Sequence, residues 1–335
     1  MVKVGLTLRV LKIATESWPV SGEFRISRST LSRIELVTVT LTQDGYSGRG
    51  ECRPYVRYGE TPASVTQQIE RIRDLLCAEL SLEDLQDAMP AGAARNAVDC
   101  ALWDLKAKMT GRSIADLIGL PAPKRRQTAF TLSVDTPENM RDAAIAAKVY
   151  PLLKIKIGDS TGLEAAQLIL KARPDAMLII DANEALRPEE LRDFRSSLAE
   201  ASVALIEQPL PDAIFDKIDN RPKAKPIYCA DESMHGLDDL NKLWRAGYRA
   251  VNVKLDKCGG LSAGLEVIKA AKARGFITMA GCMVGTSLAM APMMMLESFA
   301  DYIDLDGPLL LAKDRKKGLR YEGPIIHPPQ RDLWG

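Results

Sequence analysis

The chain has 335 residues, of which 46% are hydrophobic and 27% charged, a composition typical of a soluble globular protein rather than a disordered one. Its 45 Lys and Arg residues nearly balance 44 Asp and Glu residues, which argues against a nucleic-acid or membrane-surface partner. No apolar stretch approaches the roughly 20 residues of a membrane span. The six cysteines form no C-x-x-C pair, which argues against a zinc framework. The sequence therefore predicts a cytoplasmic protein.

The first third of the chain has an α+β pattern without a repeating strand–helix rhythm. The alternating start is typical of a strand rather than a signal peptide. Thr61 and Pro62 form a typical helix start, with an N-cap followed by proline. Strands are predicted over 1–9, over 34–41 and in a short segment ending at Glu51, and helices over 62–80 and 92–109. We assign residues 1–123 to this domain.

Eight short apolar runs alternate with helix-forming stretches after residue 123. This alternation predicts parallel βαβ units and, because there are eight, a (β/α)8 barrel over 124–306. An open doubly wound sheet is the alternative, but no G-x-G-x-x-G follows the first run. The tail, 307–335, contains no further unit and is expected to return to the first domain. The runs are 129–132, 153–157, 177–181, 203–207, 227–231, 250–254, 276–280 and 302–306.

Three consecutive runs end in a carboxylate: Asp181, Glu207 and Asp231. The carboxyl ends of barrel strands meet at one mouth, so these side chains are expected to converge there. Together they would repel one another unless a cation shared the site. All-oxygen ligands suit a hard divalent ion, and we expect one Mg²⁺ per subunit. Zinc would favour His or Cys ligands, and the chain has only two histidines.

Lysines lie on both sides of these three runs in barrel order. Lys154 and Lys156 share one face of run two, and Lys254 ends run six. Two bases across a metal suit removal of a proton next to a carboxylate and its return on the opposite face. Singly, each residue has a structural explanation, as a helix cap or as a charge on a solvated strand edge. Together, in barrel order, they indicate an active site.

These residues lie in a motif series that resembles the muconate-lactonizing branch of the enolase superfamily, and within it the dipeptide epimerases. The resemblance covers nearly the whole chain and implies a modified TIM barrel with an α+β capping domain. It implies Asp181, Glu207 and Asp231 as Mg²⁺ ligands. Lys156 and Lys254 would be the acid/base catalysts, Lys154 would stabilise the enolate, and Glu232 would lie outside the ligand set. The motifs are K-x-K (154–156), D-A-N (181–183), E-Q-P (207–209), A-D-E-S (230–233) and N-V-K-L-D-K-C-G-G (252–260).

The eighth run ends in D-x-D, at Asp304 and Asp306, which in the dipeptide epimerases holds the substrate ammonium group. A loop turn is the alternative explanation of this pair. The family binds the second carboxylate of the substrate with a cation from a capping-domain loop. Here Arg28 and Arg25 in 19–29 are candidates, as is Arg57, although each could be an ordinary surface arginine.

The resemblance implies Mg²⁺-dependent epimerisation of L-Ala-D/L-Glu dipeptides at the Glu α-carbon, in the recycling of cell-wall peptides. The mandelate racemase branch, with a His base on the seventh strand, does not fit, because 279–283 contains no His. The alternatives are a lyase or cycloisomerase, such as muconate cycloisomerase or o-succinylbenzoate synthase, and a non-catalytic metal-binding barrel. The expected partner is a small dipeptide, and a homo-oligomer is left open.

Overall fold

The computed structural model describes residues 9–218 and 225–335. The predicted strand over 1–9 therefore lies almost entirely outside the described residues. Three antiparallel strands form the N-terminal sheet: β1 (Val10–Ile26), β2 (Ser29–Gln43) and β3 (Tyr46–Cys52). The β1–β2 hairpin pairs Ile26 with Ser29, which leaves Ser27 and Arg28 at its tip.

Five helices follow the sheet: α1 (Pro62–Arg71), α2 (Arg73–Cys77), α3 (Leu82–Ala88), α4 (Ala93–Thr110) and α5 (Ile114–Ile118). Thr61 caps α1 as predicted, since its side chain accepts from the main-chain N–H of Ser64. The prediction of one helix over 62–80 was wrong, because Ile72 leaves the helical conformation at φ −106° and ψ 12°. The local sequence contains no Gly or Pro that signals this break. Ile72 is buried in the structure despite the break.

Helix α4 joins the N-terminal sheet to the second domain. On one side it approaches β3 very closely: a Cβ at Gly50 would lie 2.0 Å from the carbonyl oxygen of Ala97, so only glycine fits there. On the other side, Asn96 donates to Asp256 and Asp99 accepts from the main-chain N–H of Ser262. The sheet, α4 and the segment after residue 253 are thus fixed to one another.

Eight parallel strands form the second domain, and the predicted runs are confirmed as strands. The sheet closes between its first and last strands, where the N–H of Ala129 donates to the carbonyl of Ile303 at 2.8 Å. Strand β4 (Arg126–Gln127) lies outside the barrel. The barrel strands are β5 (Phe130–Leu132), β6 (Leu152–Lys156), β7 (Met177–Asp181), β8 (Val203–Glu207), β9 (Ile227–Ala230), β10 (Ala250–Val253), β11 (Ile277–Gly281) and β12 (Tyr302–Asp304). Helices alternate with them: α6 (Pro137–Ala146), α7 (Gly162–Ala172), α8 (Pro188–Ser197), α9 (Leu237–Ala246), α10 (Leu255–Cys258), α11 (Leu261–Ala273) and α12 (Ser287–Met293).

The barrel interior has an apolar layer beneath a charged one. Side chains two residues apart point to the same face of a strand. On each strand, the residue two positions after the apolar-layer residue therefore also points inward. These residues include Lys154, Asp181, Glu207 and Asp231. The barrel thus presents its charges at the carboxyl end of the strands. The apolar layer consists of Ala129, Leu152, Ile179, Leu205, Cys229, Ala250 and Met279.

The C-terminal tail contacts both parts of the chain. Strands β13 (Tyr321–Glu322) and β14 (Ile325–Ile326) form a small sheet with β4. Trp334 is buried, and its indole N–H donates to the carbonyl of Cys100 on α4 at 3.0 Å. No helix in the described part of the chain is long and apolar enough to cross a membrane.

A buried ion pair joins the tail to the N-terminal sheet. Glu51 of β3 is 1% exposed and accepts from the Arg315 guanidinium at 2.6 Å and from the main-chain N–H of Thr286 at 2.8 Å. Burial raises the pKa of Glu51, and Arg315 opposes this increase. Arg315 also pairs with Glu16 of β1 at 2.8 Å. One arginine of the C-terminal tail thus pairs with both β1 and β3 of the sheet.

Replacing this arginine should destabilise the fold. Arg315→Met leaves the Glu51 carboxylate buried without its ion pair, so we expect the free energy of unfolding to fall by about 3–5 kcal/mol. The control is Lys317→Met, which removes an ion pair with Asp332 whose side chains are 68% and 64% exposed, and should cost less than ~1 kcal/mol. Denaturant unfolding followed by circular dichroism measures both. Equal losses would show that Glu51 needs no ion pair.

Candidate active site

Three buried carboxylates meet at the mouth of the barrel. Asp181 ends β7 and pairs with Glu207 at the end of β8. Asp231 directly follows β9, two residues beyond Cys229, which pairs with Glu207, so all three lie at the carboxyl ends of neighbouring strands. One oxygen from each lies within 4.8 Å of the others. The structure thus brings the three predicted metal-binding residues together, and we call them the carboxylate triad.

Lysines contact this triad from two sides. On β6, Lys156 Nζ lies 2.5 Å from Asp181 Oδ2. After β10, Lys254 Nζ lies 2.7 Å from Asp231 Oδ2. Lys154 sits deeper, 2.8 Å from Glu207 and 3.0 Å from Asp181. The two lysines predicted as bases therefore approach opposite ends of the triad.

The pKa values of the triad diverge because its members have different neighbours. Burial raises the pKa of Glu207, and Asp181 adds to the effect, so that it reaches about 8. Burial acts in the same sense on Asp181 and Asp231, but the lysines outweigh it and hold the pKa of both carboxyl groups below the usual range. Burial opposes the charged form of Lys254, yet carboxylates, with Asp231 foremost, raise the pKa of its ammonium group. The protonation state of this lysine therefore depends on which cations the carboxylates bind.

Three further residues hold the triad, and the sequence analysis assigned none of them a role. Lys257 Nζ, fully buried, contacts Asp231 Oδ1 at 2.5 Å. Asn252 donates to Glu207 at 2.7 Å, and Gln208 accepts from the main-chain N–H of Asp231 at 2.9 Å. All three lie inside motifs that the sequence analysis quoted. Asn252, two residues before Lys254 and so on the same strand face, could have been found from that spacing.

The triad fits a hard divalent cation. It offers three buried carboxylates and no nitrogen or sulfur donor, which is the ligand type that Mg²⁺ prefers over zinc. Among the described residues, neither His235 nor His327 belongs to the cluster. Glu232, predicted to lie outside the ligand set, accepts instead from Asn183 at 3.2 Å and from Arg28 at 2.8 Å.

The D-x-D pair lies in the same cavity as the three lysines. Asp304 Oδ2 accepts from Lys154 at 2.8 Å, and Asp306 Oδ2 accepts from the main-chain N–H of Thr131 at 2.6 Å. Burial raises the pKa of Asp306 to about 7, and Asp304 adds to this effect. Asp304 thus has a countercharge in Lys154, whereas Asp306 accepts from a main-chain N–H. Two carboxyl groups this close in one cavity form a site suited to a cationic substituent.

The three candidate arginines have different surroundings. Arg28, at the hairpin tip, pairs with Glu184 at 2.6 Å and with Glu232 at 2.8 Å. Arg57 pairs with the same Glu184 at 2.8 Å. Arg25 has a side chain 45% exposed and pairs with Glu23 at 2.6 Å, away from the cavity lining. The structure thus brings Arg28 and Arg57, but not Arg25, to the segment after β7.

The capping domain covers the mouth. Phe24, Ile26 and Leu31 of the β1–β2 hairpin line the cavity, together with Tyr55 and Tyr58 after β3. They face the triad and the lysines across the same space. A ligand in this cavity would therefore contact both domains and be largely shielded from water.

Comparison with known proteins identifies relatives over nearly the whole chain. Residues 9–119 match the N-terminal domain of mandelate racemase and muconate lactonizing enzyme, and 138–332 match the enolase C-terminal domain-like family. The chain is 42% identical to the L-Ala-D/L-Glu epimerase of Escherichia coli over 96% of this chain and 100% of that protein. It is 40% identical to an N-acetyl-D-glutamate racemase of Pseudoalteromonas over 90% of this chain and 95% of that protein.

A solved structure from Agrobacterium tumefaciens is also similar. It is an enolase family member with homology to dipeptide epimerases, and it holds sodium and L-Ala-L-Glu. The two structures superpose with a TM-score of 0.92 at 43% identity, covering 98% of this chain and 100% of the other.

Binding of Mg²⁺ should depend on the triad. Because ligands that bind only the folded state stabilise it, saturating Mg²⁺ should raise the wild-type melting midpoint by about 4 °C or more. Glu207→Gln, close in shape to the protonated carboxyl group, should fold and lose most of this increase. The control is Asp332→Asn at an exposed position, which should keep it. An undiminished increase in Glu207→Gln would contradict the assignment.

Proposed function

The chain belongs to the mandelate racemase and muconate lactonizing enzyme family of the enolase superfamily, and from this we propose that it is a Mg²⁺-dependent dipeptide epimerase acting on L-Ala-D/L-Glu. The observation that supports this most directly is the pair Lys156 and Lys254, which contact opposite ends of the carboxylate triad. A single-base or hydrolytic site would not need two buried lysines facing one another across a carboxylate cluster.

Lys156 and Lys254 are proposed as the two acid/base groups. For one epimer Lys156 accepts the Glu α-proton at Nζ while Lys254 donates a proton to the opposite face, and for the other epimer their roles exchange. Mg²⁺, when bound by the triad, supplies positive charge against the negative charge that develops on the substrate carboxylate. Lys154, 2% exposed, adds a second positive charge at the same place.

The D-x-D pair supports a dipeptide with a free amino terminus. Asp304 and Asp306 would bind the Ala ammonium group by charge and hydrogen bonds. The carboxylate of the Glu side chain needs a cation from the capping domain. Of the three candidates, Arg28 and Arg57 reach the segment after β7. Recycling of cell-wall peptides in the cytoplasm is the setting that we propose for this reaction.

Two other activities fit parts of the site. Muconate cycloisomerases and o-succinylbenzoate synthases use a similar set of metal ligands and lysines. Their substrates, however, have no ammonium group for Asp304 and Asp306 to bind. An N-acetyl-D-glutamate racemase is favoured by one relative at 40% identity, and its substrate also lacks an ammonium group. The paired carboxyl groups at the cavity therefore favour the dipeptide over both.

Proton NMR in D₂O tests the proposal. Purified protein with Mg²⁺ and L-Ala-L-Glu or L-Ala-D-Glu should lose the Glu α-proton signal and produce the other diastereomer, because the α-carbon is deprotonated and reprotonated from solvent. Chelation with EDTA should abolish both changes, and added Mg²⁺ should restore them. Faster exchange of N-acetyl-D-glutamate than of either dipeptide would favour the racemase. No exchange with any of these substrates would contradict the epimerase proposal.

A further inference from the structure

An arginine other than the three candidates lines the cavity. Arg53 directly follows β3 and lines the cavity together with Lys156 and Lys254. In the described part of the chain, no residue accepts a hydrogen bond from its guanidinium or forms an ion pair with it. Arg28 and Arg57, in contrast, both pair with Glu184.

The neighbours of Arg53 explain why its guanidinium has no acceptor. Asp256 is the carboxylate beside it, but Asp256 Oδ1 accepts from the main-chain N–H of Arg53 and from the Asn96 side chain, each at 3.0 Å. The guanidinium carbon lies 5.7 Å from the centre of the Tyr55 ring, a cation–π contact that leaves its N–H groups unused. The main chain of Arg53 is thus held by Asp256, while the N–H donors of its guanidinium remain available to a ligand.

An unpaired guanidinium in a largely enclosed cavity is energetically unfavourable. Because arginine stays charged at any ordinary pH, the guanidinium cannot relieve the free-energy cost of its burial by losing a proton. A carboxylate offers the planar pair of acceptors that matches its fork of donors. The site is therefore built for an anionic substituent of whatever ligand the cavity holds.

Arg28 is the competing cation, and its contacts make it less suited to this task. It pairs with Glu184 and Glu232 and also donates to the carbonyl of Asn183 at 2.7 Å. To bind a substrate carboxylate it would have to share or release these acceptors. Its contacts fix the hairpin tip to the barrel, which is a positioning role.

We propose that Arg53 binds the side-chain carboxylate of the substrate's C-terminal residue and makes the enzyme prefer acidic over neutral dipeptides. This inference rests on the proposed function, because it needs a dipeptide held by the triad and the D-x-D pair. It assigns Arg53 to specificity and leaves proton transfer to the lysines.

The test compares L-Ala-L-Glu with the uncharged L-Ala-L-Gln, using kcat/KM for epimerisation. Arg53→Met should lower kcat/KM for L-Ala-L-Glu by about 100-fold and change that for L-Ala-L-Gln by less than about threefold, because only the first substrate loses a bidentate contact. Arg53→Lys keeps the charge but not the fork of donors, and should retain an intermediate preference. Arg141→Met, at a partly exposed position paired with Asp142, is the control and should leave both values unchanged.

Two results would overturn the inference while leaving the epimerase intact. Equal losses on both dipeptides in Arg53→Met would show a purely structural role. Loss of the preference in Arg28→Met, with the preference kept in Arg53→Met, would assign the carboxylate to Arg28. Absence of wild-type activity on both dipeptides would instead refute the proposed function, and this inference with it.

Discussion

Charge balance among buried groups at the barrel mouth is the constraint on which the site depends. Lys154, Lys156 and Lys254 are each less than 9% exposed, and so are the carboxylates that they contact. Buried charges are tolerated only when they are paired, so no one of these groups can be changed without altering the others. A divalent cation entering this set would take over part of the pairing. The same electrostatics that hold the site together thus link metal binding to the protonation of the lysines.

Strand periodicity and helix α4 position the charged groups that balance one another. The apolar layer of the barrel lies two residues before the charged layer, so the pattern that fills the core also points the charges to the mouth. Helix α4 then ties the N-terminal sheet to the segment after β10 through Asn96 and Asp256. Because Asp256 also accepts from the main-chain N–H of Arg53, the residue after β3 and the segment that carries Lys254 are joined through one carboxylate.

The parts of the site that follow from local periodicity could be predicted from the sequence, and the parts that depend on tertiary contacts could not. Residues at strand ends, such as Asp181 and Lys156, are placed by the alternation of strands and helices. Nothing local indicates that Glu184 binds two arginines from the capping domain, or that Lys257 reaches back to Asp231. For the same reason the sequence alone assigned no role to Arg53.

The most direct test of the account is α-proton exchange in D₂O by Lys156→Ala and Lys254→Ala, measured separately on L-Ala-L-Glu and L-Ala-D-Glu. If the two lysines serve opposite faces of the α-carbon, neither variant interconverts the epimers. Each should still exchange the proton of the one epimer that faces its remaining lysine, and the two variants should select opposite epimers. Exchange of the same epimer by both variants, or full epimerisation by either, would contradict the two-base arrangement.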